Sequence, residues 1–238
     1  MTTSQKQNLL LLPGLLNDAR LWQYQIAALS DVAHATVADL TGADSMAALA
    51  SAALAQAPAE RFALAGLSMG GYVALEIMRQ APDRVMALAL LDTSARPDTP
   101  QATETRVALM RLSKKHFSHV IDLSLPRAVH PTHLTDTSIV KVIREMSESA
   151  GKEVFVRQQQ AVIERIDSRP SLHRITCPTL ILCGRDDVVT PVDAHEEMAA
   201  AIPASRLVII DECGHLSTLE APQKVTDALR KWLSDIHD

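Results

Sequence analysis

The chain has 238 residues, 47% of them hydrophobic, and a formal net charge of −5 at pH 7. That length suits one domain with room for an insertion, and the negative balance argues against nucleic acid or an anionic membrane as a partner. No apolar run approaches the roughly 20 residues of a membrane helix, and the polar opening stretch 1–7 lacks the apolar segment of a signal peptide, so the cytoplasm is the expected compartment.

Residues 8–12 form an apolar run read as a strand, closed by Pro13-Gly14. Residues 19–29 read as a helix and 33–40 as a strand ending at Thr41-Gly42. The Ala-rich stretch 45–57 is helical, with Ser45 as N-cap. A short buried strand (62–66), a helix stopped by Pro82 (68–81) and a continuous apolar strand (85–92) follow. Toward the end come strands at 179–184 and around 207–210, a helix at 192–201 between them, and a closing segment, 216–236, helical from about Ala221. Strands without clean alternation are buried on both faces, and with helices between them they make a parallel sheet covered on both sides. Right-handed crossovers fix most of the remaining topology.

The stretch from about Ala95 to Pro170 breaks this alternation. Ile139, Val142, Ile143 and Met146 fall on one face of a helix. Phe155, Val162 and Ile166 mark a second helix, residues 103–115 a third, and five prolines punctuate the segment, from Pro97 to Pro170. The expected architecture is α/β: a mostly parallel sheet with helices on both faces (1–95 and 171–238) and a helical lid (96–170) inserted after the strand ending at Asp92.

Gly66-Leu67-Ser68-Met69-Gly70 is a G-x-S-x-G motif between a strand and a helix. In that context a sharp turn lifts Ser68 out of the C-terminal edge of the sheet, and small neighbours let the turn form. The helix N-terminus beneath it favours developing negative charge. Asp187 follows the strand 179–184, and His215 follows the last strand. Ligands bind at this edge in open α/β sheets. A serine hydroxyl needs a base, histidine supplies one near neutral pH, and a carboxylate orients the imidazole. Ser68, Asp187 and His215 are therefore the candidate catalytic residues, with Asp186 and Asp92 as rivals for the acid.

Cys177, Cys183 and Cys213 are odd in number, which argues against a disulfide framework. Cys213 lies two residues from His215, but the spacing matches no common zinc pattern. The pairs His116/His119 and His130/His133 read as solvated or locally hydrogen-bonded rather than as metal ligands. No metal or organic cofactor is expected. Arg106, Arg111, Lys114 and Lys115 read as a solvated helix face, or as a patch that steers an acidic substrate if it turns inward.

On the segments Leu11–Leu16, Gly66–Gly71, Gly184–Pro191 and Gly214–Pro222, the chain resembles the α/β-hydrolase superfamily over nearly its whole length. It is similar to the small bacterial branch of enol-lactonases, the carboxylesterase of biotin synthesis and C–C bond hydrolases. The resemblance implies an α/β-hydrolase fold and an oxyanion hole built from the backbone N–H groups of Leu15 and Met69. It puts the acid three residues after Gly184, at Asp187. Pro13 stands where the family often has histidine, a change that backbone donors survive.

The substrate pocket is expected to draw on Leu16, Trp22, Val107, Met110, Ile139, Val142, Ile143, Met146 and Leu216. It would be a mostly aliphatic wall for small to medium apolar esters. The expected partner is a small-molecule ester or lactone. Lactone, thioester and C–C bond hydrolysis stay open on the same residues, as do a cofactor-free perhydrolase and a non-catalytic receptor.

Overall fold

The computed structural model describes residues 6–236, so residues 1–5 of the polar opening stretch lie outside it. Six strands alternate with helices: β1 (Gln7–Leu12), α1 (Gln23–Ala28), β2 (Ala33–Val37), α2 (Met46–Ala55), β3 (Phe62–Leu67), α3 (Met69–Gln80) and β4 (Val85–Leu91). Two long helices follow, α4 (Pro100–Ala128) and α5 (Thr137–Ile163). The chain then returns through β5 (Thr179–Gly184), α6 (Val192–Ala201), β6 (Ser205–Ile210), α7 (Ser217–Glu220) and α8 (Pro222–Ser234). The sheet order is β2-β1-β3-β4-β5-β6, and every pairing is parallel.

The sheet separates two apolar layers by the two-residue period of its strands. Leu9 and Leu11 of β1, Ala63, Ala65 and Leu67 of β3, and Ala87, Ala89 and Leu91 of β4 face one layer, which α1 and α8 complete with Trp232 and Leu229. Leu10, Leu12, Leu64, Leu88 and Leu90 face the other, against α2, α3 and α6. Burial on both faces is why these strands read as unbroken apolar runs.

Local signals set several helix starts. Ser45 accepts the Ala48 N–H at 3.3 Å, Thr99 that of Ala102 at 3.1 Å, and Asp136 that of Ser138 at 2.9 Å. The stretch 103–115 is part of a longer helix: α4 runs on to Ala128 and breaks at His116, where φ is −137°. Its second half hides its apolar face among polar residues, with only Val120, Ile121 and Leu125 buried. The two helices expected after residue 137 are continuous except for a break at Gly151 (φ 81°). Ile166 lies beyond the end of α5 and is exposed. No described helix is long and apolar enough to cross a membrane.

Candidate active site

β3 delivers Ser68 at φ 55°, ψ −116°, a backbone conformation that a non-glycine residue adopts only under constraint. The Ser68 N–H donates to Leu91 O at 3.0 Å, and Thr93 Oγ1–H donates to Ser68 O at 2.8 Å, so the end of β4 and the loop just after it clamp both ends of the residue. The turn works because its flanks have no side chains. A Cβ on Gly66 would sit 2.3 Å from Gly70 O, and one on Gly70 would sit 2.2 Å from Leu12 O.

Ser68 Oγ lies 2.8 Å from His215 Nε2, and His215 Nδ1 lies 2.7 Å from Asp187 Oδ2. The three candidate residues thus form one hydrogen-bonded chain. Asp187 is buried, and its second oxygen accepts the N–H groups of Val189 at 2.7 Å and Thr190 at 2.9 Å. Thr190 Oγ1–H donates to Asp187 Oδ2 at 2.7 Å. Burial works against the Asp187 charge, but the His215 charge and the hydrogen bonds from His215 and Thr190 outweigh it and hold the carboxyl below its usual range. Burial likewise opposes the His215 cation, yet the Asp187 charge and hydrogen bond raise the imidazole above its ordinary value.

The rival acids are engaged elsewhere. Asp92 accepts the Gly184 N–H at 3.0 Å and hydrogen bonds from Ser217. Burial, helped by the Asp187 charge, pushes its carboxyl up to about 8. Asp186 is exposed, 3.7 Å from His130 Nε2. His116 and His119 are not part of the site. Among the described residues no group of three or more His, Cys, Asp or Glu could hold a metal ion, and burial pushes the Cys213 thiol upward.

Leu15 and Met69 both line the cavity beside Ser68, and the amide of neither has a hydrogen-bond partner among the described residues. The next amide, that of Leu16, is committed: it donates to Gln158 Oε1 at 2.8 Å, with Leu16 held at φ 60°. Gln158 Nε2–H in turn reaches Leu40 O at 3.1 Å, so α5 pins this loop to the segment after β2.

The cavity holds about 630 Å³ and lies under α4 and α5. Of the residues expected to line it, Leu16, Ile143 and Leu216 do. Trp22, Val107, Met110, Ile139, Val142 and Met146 do not. Trp22 and Met146 are fully enclosed in the layer beneath the sheet, where Ile139 and Val142 also pack. Met110 packs against the cluster of Leu16, Val120 and Phe155. Helical periodicity gives the apolar face of α5, and that face is spent mostly on the core. Leu109, Val120, Phe155 and Val162 supply wall in their place. Of the basic stretch, Arg106 faces the cavity, whereas Arg111, Lys114 and Lys115 do not.

Three supports were not read from the sequence. Thr190 stands three residues after Asp187, an Asx-type spacing that could have revealed it. His195 is buried, accepts the Thr93 N–H at 2.9 Å and is pushed down to about 4 by burial, so it stays neutral. Glu220 lies under the His215 turn: Oε2 accepts the N–H groups of His130 at 2.7 Å and Gly214 at 3.1 Å, and Oε1 that of Leu216 at 3.1 Å. His133 Nδ1 lies 2.8 Å from Oε2.

A family model described as "Alpha/beta hydrolase family" matches residues 9–228. A pimeloyl-[acyl-carrier protein] methyl ester esterase of Nitrosomonas europaea is 29% identical over 173 residues, covering 69% of this chain and 68% of that protein. A 3-oxoadipate enol-lactonase of Acinetobacter baylyi is 27% identical over 175 residues, 73% of this chain and 63% of its own length. A solved thermophilic esterase from Thermogutta terrifontis, in a malate-bound form, superposes with TM-score 0.89 at 33% identity, covering 99% of this chain and 92% of that one.

Proposed function

The chain belongs to the α/β-hydrolase family, and on that premise we propose that it is a serine hydrolase cleaving carboxylic esters of small to medium, mostly apolar molecules through an acyl-enzyme. Ser68 Oγ attacks the ester carbonyl while His215 Nε2 takes its proton. The negative oxygen of the tetrahedral intermediate lies against the free amides of Leu15 and Met69, at the N-terminal end of α3. Collapse breaks the C–O bond, and the proton on His215 passes to the departing alcohol. A water molecule, deprotonated by the same imidazole, then attacks the acyl–Ser68 ester and releases the acid. Asp187 holds the imidazole and stabilises its cation, and nothing in this route calls for a metal or organic cofactor. Segment 96–170 serves as a lid over the core of 1–95 and 171–238, and the reaction is read as cytoplasmic.

The observation that carries the reading is the chain Ser68–His215–Asp187, with links of 2.8 and 2.7 Å, opening on a cavity lined also by Leu15 and Met69, whose amides are unpaired among the described residues. Lactone hydrolysis is the second reading, because a lactone is an ester closed on itself and one relative is named an enol-lactonase. The test is covalent: a serine-reactive phosphonate adds its mass to the wild-type chain and not to Ser68→Ala. Ser68→Ala should fold normally and lose ester hydrolysis by a very large factor, on the order of a million-fold in a comparable triad. Retention of a tenth of the wild-type kcat would remove Ser68 from the mechanism.

A further inference from the structure

The whole chain carries a net charge of −5, yet no Asp or Glu lines the cavity beside Ser68. Apart from His215, its titratable charged lining consists of Arg106 and Arg127. Arg106 projects from α4 and is held from behind. Its Nε–H donates to Asp98 Oδ2 at 2.9 Å and one Nη1–H donates to Gln159 Oε1 at 2.8 Å. Those two bonds leave three of the five guanidinium N–H groups without a partner among the described residues. Asp98 does not neutralise the cluster, because Arg165 shares it through Nη1 at 2.6 Å, so two guanidiniums face one carboxylate. Gln159 is itself buried and lines the cavity; its oxygen accepts from Arg106, and its amide N–H groups have no partner among the described residues. The Arg106–Gln159 pair therefore presents unpaired N–H donors, and with Arg165 sharing Asp98 the cluster carries one positive charge in excess.

A planar pair of oxygens bearing one negative charge meets those requirements, since a guanidinium fork and an amide match a carboxylate in both geometry and charge. The position is also informative. Arg165 lies over the ring of Tyr72, 4.4 Å from its centroid. Tyr72 stands one turn along α3 from Ser68, a rise of about 6 Å. Leu109, Phe155 and Val162 also line the cavity, which gives apolar wall for a short hydrocarbon chain joining the two ends. Arg127 sits next to Ala128, whose carbonyl takes the His215 N–H at 3.2 Å. It is exposed and adds a like charge that draws anions in.

We propose that the substrate carries a carboxylate at the end remote from its scissile bond, and that Arg106 with Gln159 forms the subsite that receives it. The location of the scissile bond rests on the reading of Ser68 as nucleophile; the subsite itself does not. Monomethyl adipate and methyl hexanoate share a chain length and differ in the terminal carboxylate, so they are the probes. Calorimetric titration into Ser68→Ala, which cannot form the acyl-enzyme, should give at least tenfold tighter binding of monomethyl adipate. Adding Arg106→Gln should remove most of that discrimination, and Arg106→Lys should restore part of it. If Arg106→Gln fails to fold, Gln159→Leu provides the same comparison through the lost amide donor. Equal affinity for the two esters, or discrimination unchanged in the folded variants, overturns the proposal. Turnover by the wild-type chain separates the two readings. Discrimination in binding without hydrolysis of either ester leaves the subsite standing and removes the ester-hydrolase reading, whereas hydrolysis without discrimination does the reverse.

Discussion

Replacing Glu220 with glutamine removes one of two acceptor atoms from a place where donors converge. Oε2 faces the amides of His130 and Gly214 and the ring of His133, and Oε1 faces the amide of Leu216. The glutamine oxygen can keep the more crowded position, which turns its NH₂ group against the Leu216 N–H. The side chain is 0% exposed, so no solvent relieves that clash. One lost hydrogen bond at about 1 kcal/mol, plus a buried unsatisfied donor at about 1–3 kcal/mol, gives a destabilisation of about 2–4 kcal/mol. That is a large part of the total stability of about 5–15 kcal/mol typical of a folded domain. Gly214 and Leu216 flank His215, so the loss also frees the base. Misplacement by about 1 Å costs roughly a hundredfold in rate, so kcat should fall on the order of ten- to a hundredfold. Urea unfolding measures the first quantity and ester hydrolysis the second. A Glu220→Gln chain that unfolds within about 0.5 kcal/mol of wild type and keeps its kcat would refute the idea that this carboxyl holds the His215 turn.

Asp187→Asn should lower kcat on the order of ten-thousand-fold, because the amide removes the charge and can reverse the histidine tautomer. Asp92→Asn and Asp186→Asn should cost far less, and the opposite ranking in steady-state kinetics would reassign the acid. Because its pairing with Asp187 raises the His215 imidazole above 6.5, the ring holds a proton at mildly acid pH and cannot accept one from Ser68. Activity should therefore be lost as pH falls, with the midpoint of kcat/KM above the ordinary imidazole value, and the residual activity of Asp187→Asn should titrate lower. A wild-type midpoint at or below 6.5 would contradict the pairing.

The fold was legible because its signals are local. Each strand buried on both faces leaves an unbroken apolar run, and Pro82 or a Ser45-type cap marks where a helix stops or starts. The candidate triad was legible for the same reason: Ser68, Asp187 and His215 each follow the C-terminal end of a strand, and short local stretches of sequence mark the turns. The cavity wall was not. Whether Ile139 or Ile143 reaches it depends on how α5 is rotated against α4, and periodicity gives only the apolar face as a whole. The same holds for Arg106, whose inward orientation comes from Asp98 and Gln159, partners 8 and 53 residues away. Glu220 lies in the family-like segment Gly214–Pro222, but its role depends on His130, 90 residues distant.

The placement of backbone strain links this fold to its chemistry. Among the described residues, those other than glycine with positive φ are Leu16, Ser68, Asp92 and Glu212, and they follow β1, β3, β4 and β6. All four stand just past the C-terminal end of a strand. Each such residue costs of order 1–3 kcal/mol and persists only where surrounding contacts overdetermine it. The contacts are visible for three of them. Gln158 holds the Leu16 amide, Leu91 and Thr93 hold Ser68, and Gly184 and Ser217 hold Asp92. Relaxing any of these turns toward ordinary geometry would gain local stability. It would also move a free amide, the Ser68 hydroxyl or the brace beneath the His215 segment away from the cavity. Strain collected at one edge of an otherwise regular sheet is what an edge used for chemistry requires, and the opposite edge, where the strands begin, carries none of these residues.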